Sequence, residues 1–439
     1  MLGYYLDLAL RSLRRNKVLT GLMVLAIALG IGASITMLTV LHNLSGNPLP
    51  QRSDVVFHPQ VDPRPVGQGG ADIEPPDNLT YTDAVNLYRL NGATRRAVMV
   101  ANWLPTSNDA PDSPLTMVST RATTGGFFAM FGVPFVFGTG WTEQDDESHA
   151  RVVVISRELN DRLFQGANSV GRNLIIATKV FRVVGVAENW NPQPRFYDLD
   201  GQQREPSGSG TGIYIPFFSW LDLPQDYGYG SMRCWGNDTH AGDHNPKAGN
   251  CTWAQFWVQL DSPAQVASYR ETLRGYSDQQ HGLGRFERVA NIRLRNVVDW
   301  LDYKHVIPVM LRMQTWIALG VFLICIVNTI GLLVAKFLRK SGEIGVRRAL
   351  GAAKWHIFMQ CLIEAGVIGV VGGLCGLPLS WLGLWMVRQQ PVAFAASAQL
   401  NLTMLAVGVG LAVVSALAAG LWPAWRASRI SPALQVKSL

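Results

Sequence analysis

Charge is distributed along this chain in blocks. Val18–Leu41 carries no Asp, Glu, Lys or Arg, and neither do Met313–Ala335, Ala365–Val387 and Gln389–Trp425. The runs are 24, 23, 23 and 37 residues long. In the last, Pro391, Gln399 and Asn401 confine the apolar part to roughly Leu402–Trp422. A helix needs about 20 apolar residues to cross a bilayer, whereas a run of about 10–14 suits a buried core helix. The pattern therefore predicts four transmembrane helices. The first run is longer than the roughly 7–15 residues of a signal-peptide core and ends at Leu41-His42-Asn43, with no small-x-small cleavage site. It is expected to be a retained anchor.

Between the first two runs lies a block, 43–305, large enough for a core of its own. Its pattern changes to short strands and single helices. Arg151–Ile155 reads as a buried strand, and Ser156 as the cap of a helix to about Gln165. Asn173–Thr178 and Lys179–Val186 read as a hairpin, Thr211–Phe218 and Thr252–Leu260 as further strands. Ser262-Pro263 opens a helix to about Gln280. The mixture indicates an α+β domain. Phe196–Asn250, rich in Gly, Ser, Asp and Asn, is expected to be a loop-rich second lobe. The expected organisation is an amphipathic N-terminus at 1–17, spans at 18–42, 306–337 (with a stalk end), 358–387 and 402–424, loops at 338–357 and 388–401, and a tail at 425–439.

Composition agrees. The chain has 439 residues, 48% of them hydrophobic and only 16% charged, against about 25% charged in a globular protein. Disorder, collagen and coiled coil are excluded, and five cysteines are too few for a disulfide scaffold. The net charge of +7 raises the question of nucleic acid, and the placement of charge answers it. Thirteen basic and two acidic residues (Asp7 and Glu343) lie on three short segments: before the first run, in the Lys336–Lys354 loop between the second and third, and after the fourth. The loop between the third and fourth carries only Arg388. Positive-inside logic puts both termini and the Lys336–Lys354 loop in the cytoplasm and the large domain outside. The basic excess faces the membrane lipid; no nucleic-acid partner is needed.

Small residues recur at four-residue spacing in the third run, as Gly369 and Gly373 and as Gly372 and Gly376. They allow close helix contact, within one bundle or at a dimer seam. Cys234 and Cys251, 17 apart in the external block, suggest a disulfide. A metal site with His240 and His244, or free thiols, are the alternatives. Glu364 is the one acid at a membrane run, and a single edge carboxylate is not a proton relay. No G-x-x-x-x-G-K-[ST] phosphate cradle, helix-opening G-x-G-x-x-G, H-E-x-x-H or G-x-S-x-G occurs. No catalytic, cofactor or metal site is expected in this chain.

The loop Arg339-Lys340-Ser341-Gly342-Glu343-Ile344-Gly345-Val346-Arg347-Arg348-Ala349-Leu350-Gly351-Ala352 combines an apolar patch with a charged one. It could form a short amphipathic helix or remain an ordinary basic loop. The segment resembles the cytoplasmic signature of MacB/FtsX-type ABC transporter permeases. Pro423–Leu434 resembles that family's C-terminal ending, and Leu10–Gly32 its first span. Gly125-Gly126-Phe127-Phe128-Ala129-Met130-Phe131-Gly132 and Val152–Glu188 resemble its periplasmic core domain. Unlike MacB itself, the sequence shows no fused nucleotide-binding domain.

The resemblance implies a dimer, with a second identical or paralogous copy, seated on a dimer of cytoplasmic ATPase subunits that hold ATP and Mg²⁺. Arg339–Ala352 would be the coupling helix. Ile344 and Leu350 would supply its apolar anchors, Glu343, Arg347 and Arg348 its charged rim, and Gly345 and Gly351 tight turns or close approach. Asn296–Val306 is placed to continue the second span outward as a stalk. ATP-driven closure would move the external domain by mechanotransmission. The implied function is export from the periplasm, with a periplasmic adaptor and outer-membrane channel as possible partners. A lipoprotein-releasing permease and an FtsX-like regulator of a periplasmic hydrolase are alternatives. A bacitracin-type sensor usually has ten spans.

Overall fold

The computed structural model describes residues 17–67, 74–109, 114–192, 194–199, 210–224, 232–235, 247, 249–288, 291–307, 309–390, 400 and 402–428. The chain divides into two compact units: Gly46–Val306, and a helical unit formed by the segments on either side.

Among the described residues of the helical unit, four helices are long and apolar enough to span a bilayer: Lys17–Ser45, Val309–Arg339, Lys354–Arg388 and Leu402–Ser428. They are called spans one to four. Spans one to three each contain an expected uncharged run, span four contains the apolar Leu402–Trp422 part of the last, and each extends into flanking charge. The glycines of span three face two different neighbours. A methyl group on Gly372 would come within 2.7 Å of Ile27, and one on Gly376 within 3.0 Å of Ile31, both in span one. Gly369 and Gly373 instead meet Ala416 and Ala412 of span four. The small-residue spacing thus packs one bundle.

In the Gly46–Val306 unit the described strands form one sheet. They are β1 (Val56–Gln60), β2 (Leu79–Thr80), β3 (Arg95–Asn108), β4 (Thr116–Thr123), β5 (Phe135–Gly138), β6 (Val152–Ser156), β7 (Asn173–Ile176), β8 (Lys179–Ala187), β9 (Ile213–Pro216), β10 (Arg233–Cys234), β11 (Cys251–Gln259) and β12 (Arg293–Asn296). The order is β12-β1-β11-β3-β4-β9-β6-β8-β5. β7 pairs with both β8 and β3, so β3, β4, β9, β6, β8 and β7 close into a ring. Leu104, Val118, Ile155, Ile176, Phe181 and Ile213, one from each ring strand, join a single buried cluster. A second cluster is aromatic and gathers Phe127, Phe128, Phe131, Trp141, Phe196, Tyr197, Trp257 and Trp300.

Local signals behave as read. Ser156 accepts a hydrogen bond from the Leu159 amide and opens the Arg157–Phe164 helix, and Ser262 does the same for Gln265 and Pro263–Gly282. The β7–β8 hairpin forms as expected.

Two expectations are corrected. Phe196–Asn250 is not wholly a separate lobe: β9 lies inside the sheet, between β4 and β6, while Phe196, Tyr197 and Trp220 are core residues of the domain. Asn296–Val306 is not a continuation of span two. Asn296 accepts from the Asp299 amide and caps a separate helix, Val297–Tyr303, whose Trp300 is buried and donates to the Phe196 carbonyl at 2.9 Å. Burial of that indole holds the segment in the domain. Cys234 and Cys251 form a disulfide between paired positions of β10 and β11. His240 and His244, the other members of the alternative metal set, lie outside the described residues.

Arg121 of β4 is fully buried and meets both carboxylate oxygens of Asp198, at 2.7 and 2.5 Å. Its guanidinium also stacks on Tyr197, 4.6 Å from the ring centre. The pair ties the segment before residue 200 to the sheet. Asp198→Ala removes the carboxylate from a buried cation, so it should destabilise the domain by about 3–5 kcal/mol, and Arg121→Met/Asp198→Leu should recover most of the loss. Thermal unfolding of the three variants checks this.

A second buried acid behaves differently. Asp146 accepts from the Gly125 amide at 2.7 Å and from Trp141 Nε1 at 2.8 Å, at the start of the Gly126–Phe131 helix. Burial outweighs those bonds and pushes the carboxyl up to about 7. The folded domain then keeps a proton that the unfolded chain releases near 3.8. This contribution is complete below about 4 and is lost as pH rises towards about 7, amounting to at most about 4 kcal/mol. Asp62 acts in the opposite sense, because bonds from Arg64 and Asn291 overcome its burial and hold it low. The Asp146 component is therefore read as the difference between wild type and Asp146→Asn. Their thermal midpoints should diverge as pH falls from 7 to 4, with wild type gaining.

Candidate functional site

The Arg339–Ala352 segment joins spans two and three. Ser341–Ala349 is helical. Its end is fixed by Gly351, which has φ +101°. The Gly351 amide donates to Arg348 and the Ala352 amide to Arg347, a Schellman arrangement that needs a left-handed residue between them. No atom outside the adjoining residues lies within 4 Å of a methyl group built on Gly351. Its requirement is therefore conformational and closes the helix, rather than letting a neighbour approach.

The helix has two distinct faces. Lys340, Ile344 and Arg347 share one, at spacings of four and three. Lys340 Nζ lies 3.4 Å from Glu364 Oε1 of span three, and Arg347 donates to Gln360 Oε1 at 3.0 Å. Ile344 is buried in the helical unit's core cluster, which also holds Phe337, Ile357 and Cys361. Gly345 beside it is buried, and Arg348 is partly covered. Glu343, Val346 and Leu350 form an adjoining stripe, bordered by Arg347, and are exposed, Leu350 at 84%. Arg339 is exposed where span two ends.

The expected anchor pair is thus divided. Leu350 faces outward. Ile344 does not, because the ties from Lys340 and Arg347 to span three turn it into the bundle. Val346, assigned no separate role in the sequence, takes its place on the exposed stripe. The i, i+3, i+7 grouping of Glu343, Val346 and Leu350 was available as a signal.

Aromatic residues mark the ends of the bundle. Trp355 stacks on Phe358 where span three begins, and exposed Trp422 and Trp425 lie near the end of span four, with Arg426 over the Trp422 ring. At the other end of span three Trp381 and Trp385 are exposed. They stand 26 and 30 residues beyond Trp355, about 39–45 Å along a helix. That matches a bilayer with its headgroup layers.

Comparison with known proteins places this geometry in a family. The MacB-like periplasmic core domain family matches residues 20–276, and the FtsX-like permease C-terminal family matches residues 316–432. The chain belongs to the MacB/FtsX-type ABC permeases. It is 23% identical to the macrolide export ATP-binding/permease protein MacB of Wolinella succinogenes, over 99% of this chain and 60% of that one. It is 24% identical to the pyoverdine export ATP-binding/permease protein PvdT of Pseudomonas fluorescens, over 96% and 57%. The chain therefore spans about three fifths of the length of these relatives. Among solved structures, the periplasmic region of MacB from Actinobacillus actinomycetemcomitans aligns with 57% of this chain and 94% of that one, at 16% identity and a TM-score of 0.35. This permease is a multi-pass membrane protein with a periplasmic α+β domain inserted between its first and second spans.

Proposed function

We propose that the chain is a permease subunit of the bacterial inner membrane that couples ATP hydrolysis by a partner ATPase to movement of its periplasmic domain, and so drives export of a substrate from the periplasm. The observation that carries this reading is the two-faced Ser341–Ala349 helix. One face is fastened to span three, while an adjoining one presents Glu343, Val346 and Leu350 with Arg339 nearby. A few apolar anchors inside a charged rim suit a protein partner. The partner in this reading is a cytoplasmic ABC ATPase dimer, which binds the ATP and Mg²⁺. The export roles for which MacB and PvdT are named support the direction of transport. A second permease copy completes the transporter, and a periplasmic adaptor and outer-membrane channel would carry the substrate onward.

The basic flanks set the orientation. Reporters fused after His42 and near Gln390 should read periplasmic, and those near Gly342 and Leu439 cytoplasmic. A periplasmic signal at Gly342 would overturn the reading. The purified chain should hydrolyse no ATP alone and should stimulate hydrolysis by the ATPase that co-isolates with it. Turnover by the chain alone, abolished by no contaminant control, would also overturn it.

A further inference from the structure

Glu364 has no part in the exposed face just described, yet it is the only carboxylate in the described part of span three. It is 2% exposed. Two lysines converge on it from either side of the junction between span two and the Ser341–Ala349 helix. Lys336, in the last turn of span two, is fully buried with Nζ 2.6 Å from Glu364 Oε1. Lys340, the N-cap residue of the following helix, reaches the two carboxylate oxygens at 3.4 and 3.5 Å. One carboxylate thus ties span two, the start of the short helix, and span three.

We propose that Glu364 is the positioning residue that sets the seat of the Ser341–Ala349 helix on span three, acting through Lys336 and Lys340. A buried ion pair is poor evidence for added stability, since apolar residues of similar size often replace one without loss. Its best-attested use is to specify one register. Here the junction has a further reason for such a device. Lys340 at its N-cap, with Ile344 and Arg347 within it, ties the short helix to the bundle. Ile344 is apolar and fits many rotations of the helix. Arg347 bonds Gln360 at an exposed site, where water competes. Glu364 is the sheltered directional contact among them. Any tilt of the helix away from span three must draw Lys340 from the carboxylate, while Lys336 holds that carboxylate to span two. A force on the exposed stripe is therefore delivered to both spans together. That consequence for transport rests on the coupling reading proposed above, whereas the seating of the helix does not.

The test uses the full chain in lipid nanodiscs, without any ATPase, and reads amide hydrogen exchange. Glu364→Gln keeps the shape but leaves Lys336 buried beside a neutral group, so it also risks the fold. Lys336→Met/Glu364→Met removes that risk by replacing the pair with apolar side chains. In the double variant we expect spans two and three to keep wild-type protection while residues 340–350 exchange at least tenfold faster. Lys340→Met should loosen the same residues from the other side. Wild-type protection of 340–350 in the double variant would overturn the proposal and reduce Glu364 to a partner of Lys336 alone. Because no ATPase is present, failure of the coupling reading would leave this result unchanged.

Discussion

A chain carrying Val346→Asp together with Leu350→Asp is expected to insert and fold as wild type, and to lose both its ATPase and its transport activity. Both side chains are exposed, at 48% and 84%, so neither change places a charge in the bundle. Truncating a central interface anchor typically costs about 2 kcal/mol or more, which corresponds to roughly thirtyfold in affinity. An aspartate that must be buried on docking costs more. Co-isolation of the ATPase and its stimulated turnover are the readouts, with the thermal midpoint as control. Ile344→Asp makes a poor version of this experiment. Ile344 packs inside the bundle, so an unpaired carboxylate there should lower the midpoint and loosen the helix whether or not an ATPase binds. Arg347→Ala, at the edge of the stripe, should mainly alter the rate of association.

The second large effect concerns span three. Leucine at Gly369 or Gly373 should prevent span four from docking, and the chain should fail to accumulate as a monodisperse species. Even a methyl group on Gly369 would fall on Ala416, whose Cα would be only 2.7 Å away, and one on Gly373 would fall on Ala412. Overpacking ordinarily costs about 1–3 kcal/mol when neighbouring side chains can move; here backbone would have to part from backbone. Gly372→Leu should likewise expel Ile27 of span one. Gly366→Leu and Gly410→Leu are the matched controls, since nothing lies within 4 Å of a methyl group at either position. Gel filtration in detergent and thermal midpoints should separate the two sets. Equal behaviour would mean that the glycine seams do not pack the bundle.

The elements legible in the sequence were those whose cause is local. An uncharged run longer than 20 residues has few solutions other than a span. Ser156 and Ser262 marked helix starts because a hydroxyl before a helix meets a need that any helix has. β3 was illegible for the opposite reason. Its burial runs almost unbroken from Ala97 to Ser107, because the strand sits between partners on both edges and under core on both faces. Period-two alternation is thereby erased, and Pro105 argues against a strand. β1 hides behind His58 and Gln60, buried polar residues whose partners are distant: His58 bonds the carbonyls of Phe256 and Asp77. β9 lay inside a stretch whose composition suggested a lobe, and its pairings with β4 and β6 cross gaps of about 90 and 60 residues that local composition does not record.

The candidate site was legible as a segment and illegible as a surface. Ile344, Val346 and Leu350 are all apolar, and either side of so short a helix could have been the inner one. The choice is made by Glu364 and Gln360 on another helix, through Lys340 and Arg347. Gly351 was readable as a glycine with a purpose. Only the left-handed backbone shows that its purpose is to end the helix.

The central claim is that the outer face of the Ser341–Ala349 helix receives an ATPase. Its most direct test is photo-crosslinking in living cells from a benzophenone amino acid at position 350, with position 344 as the buried comparison. The account predicts an adduct at 350 with a single protein carrying a G-x-x-x-x-G-K-[ST] motif, and none at 344. A transport-competent chain that gives no ATPase adduct from position 350 would contradict it.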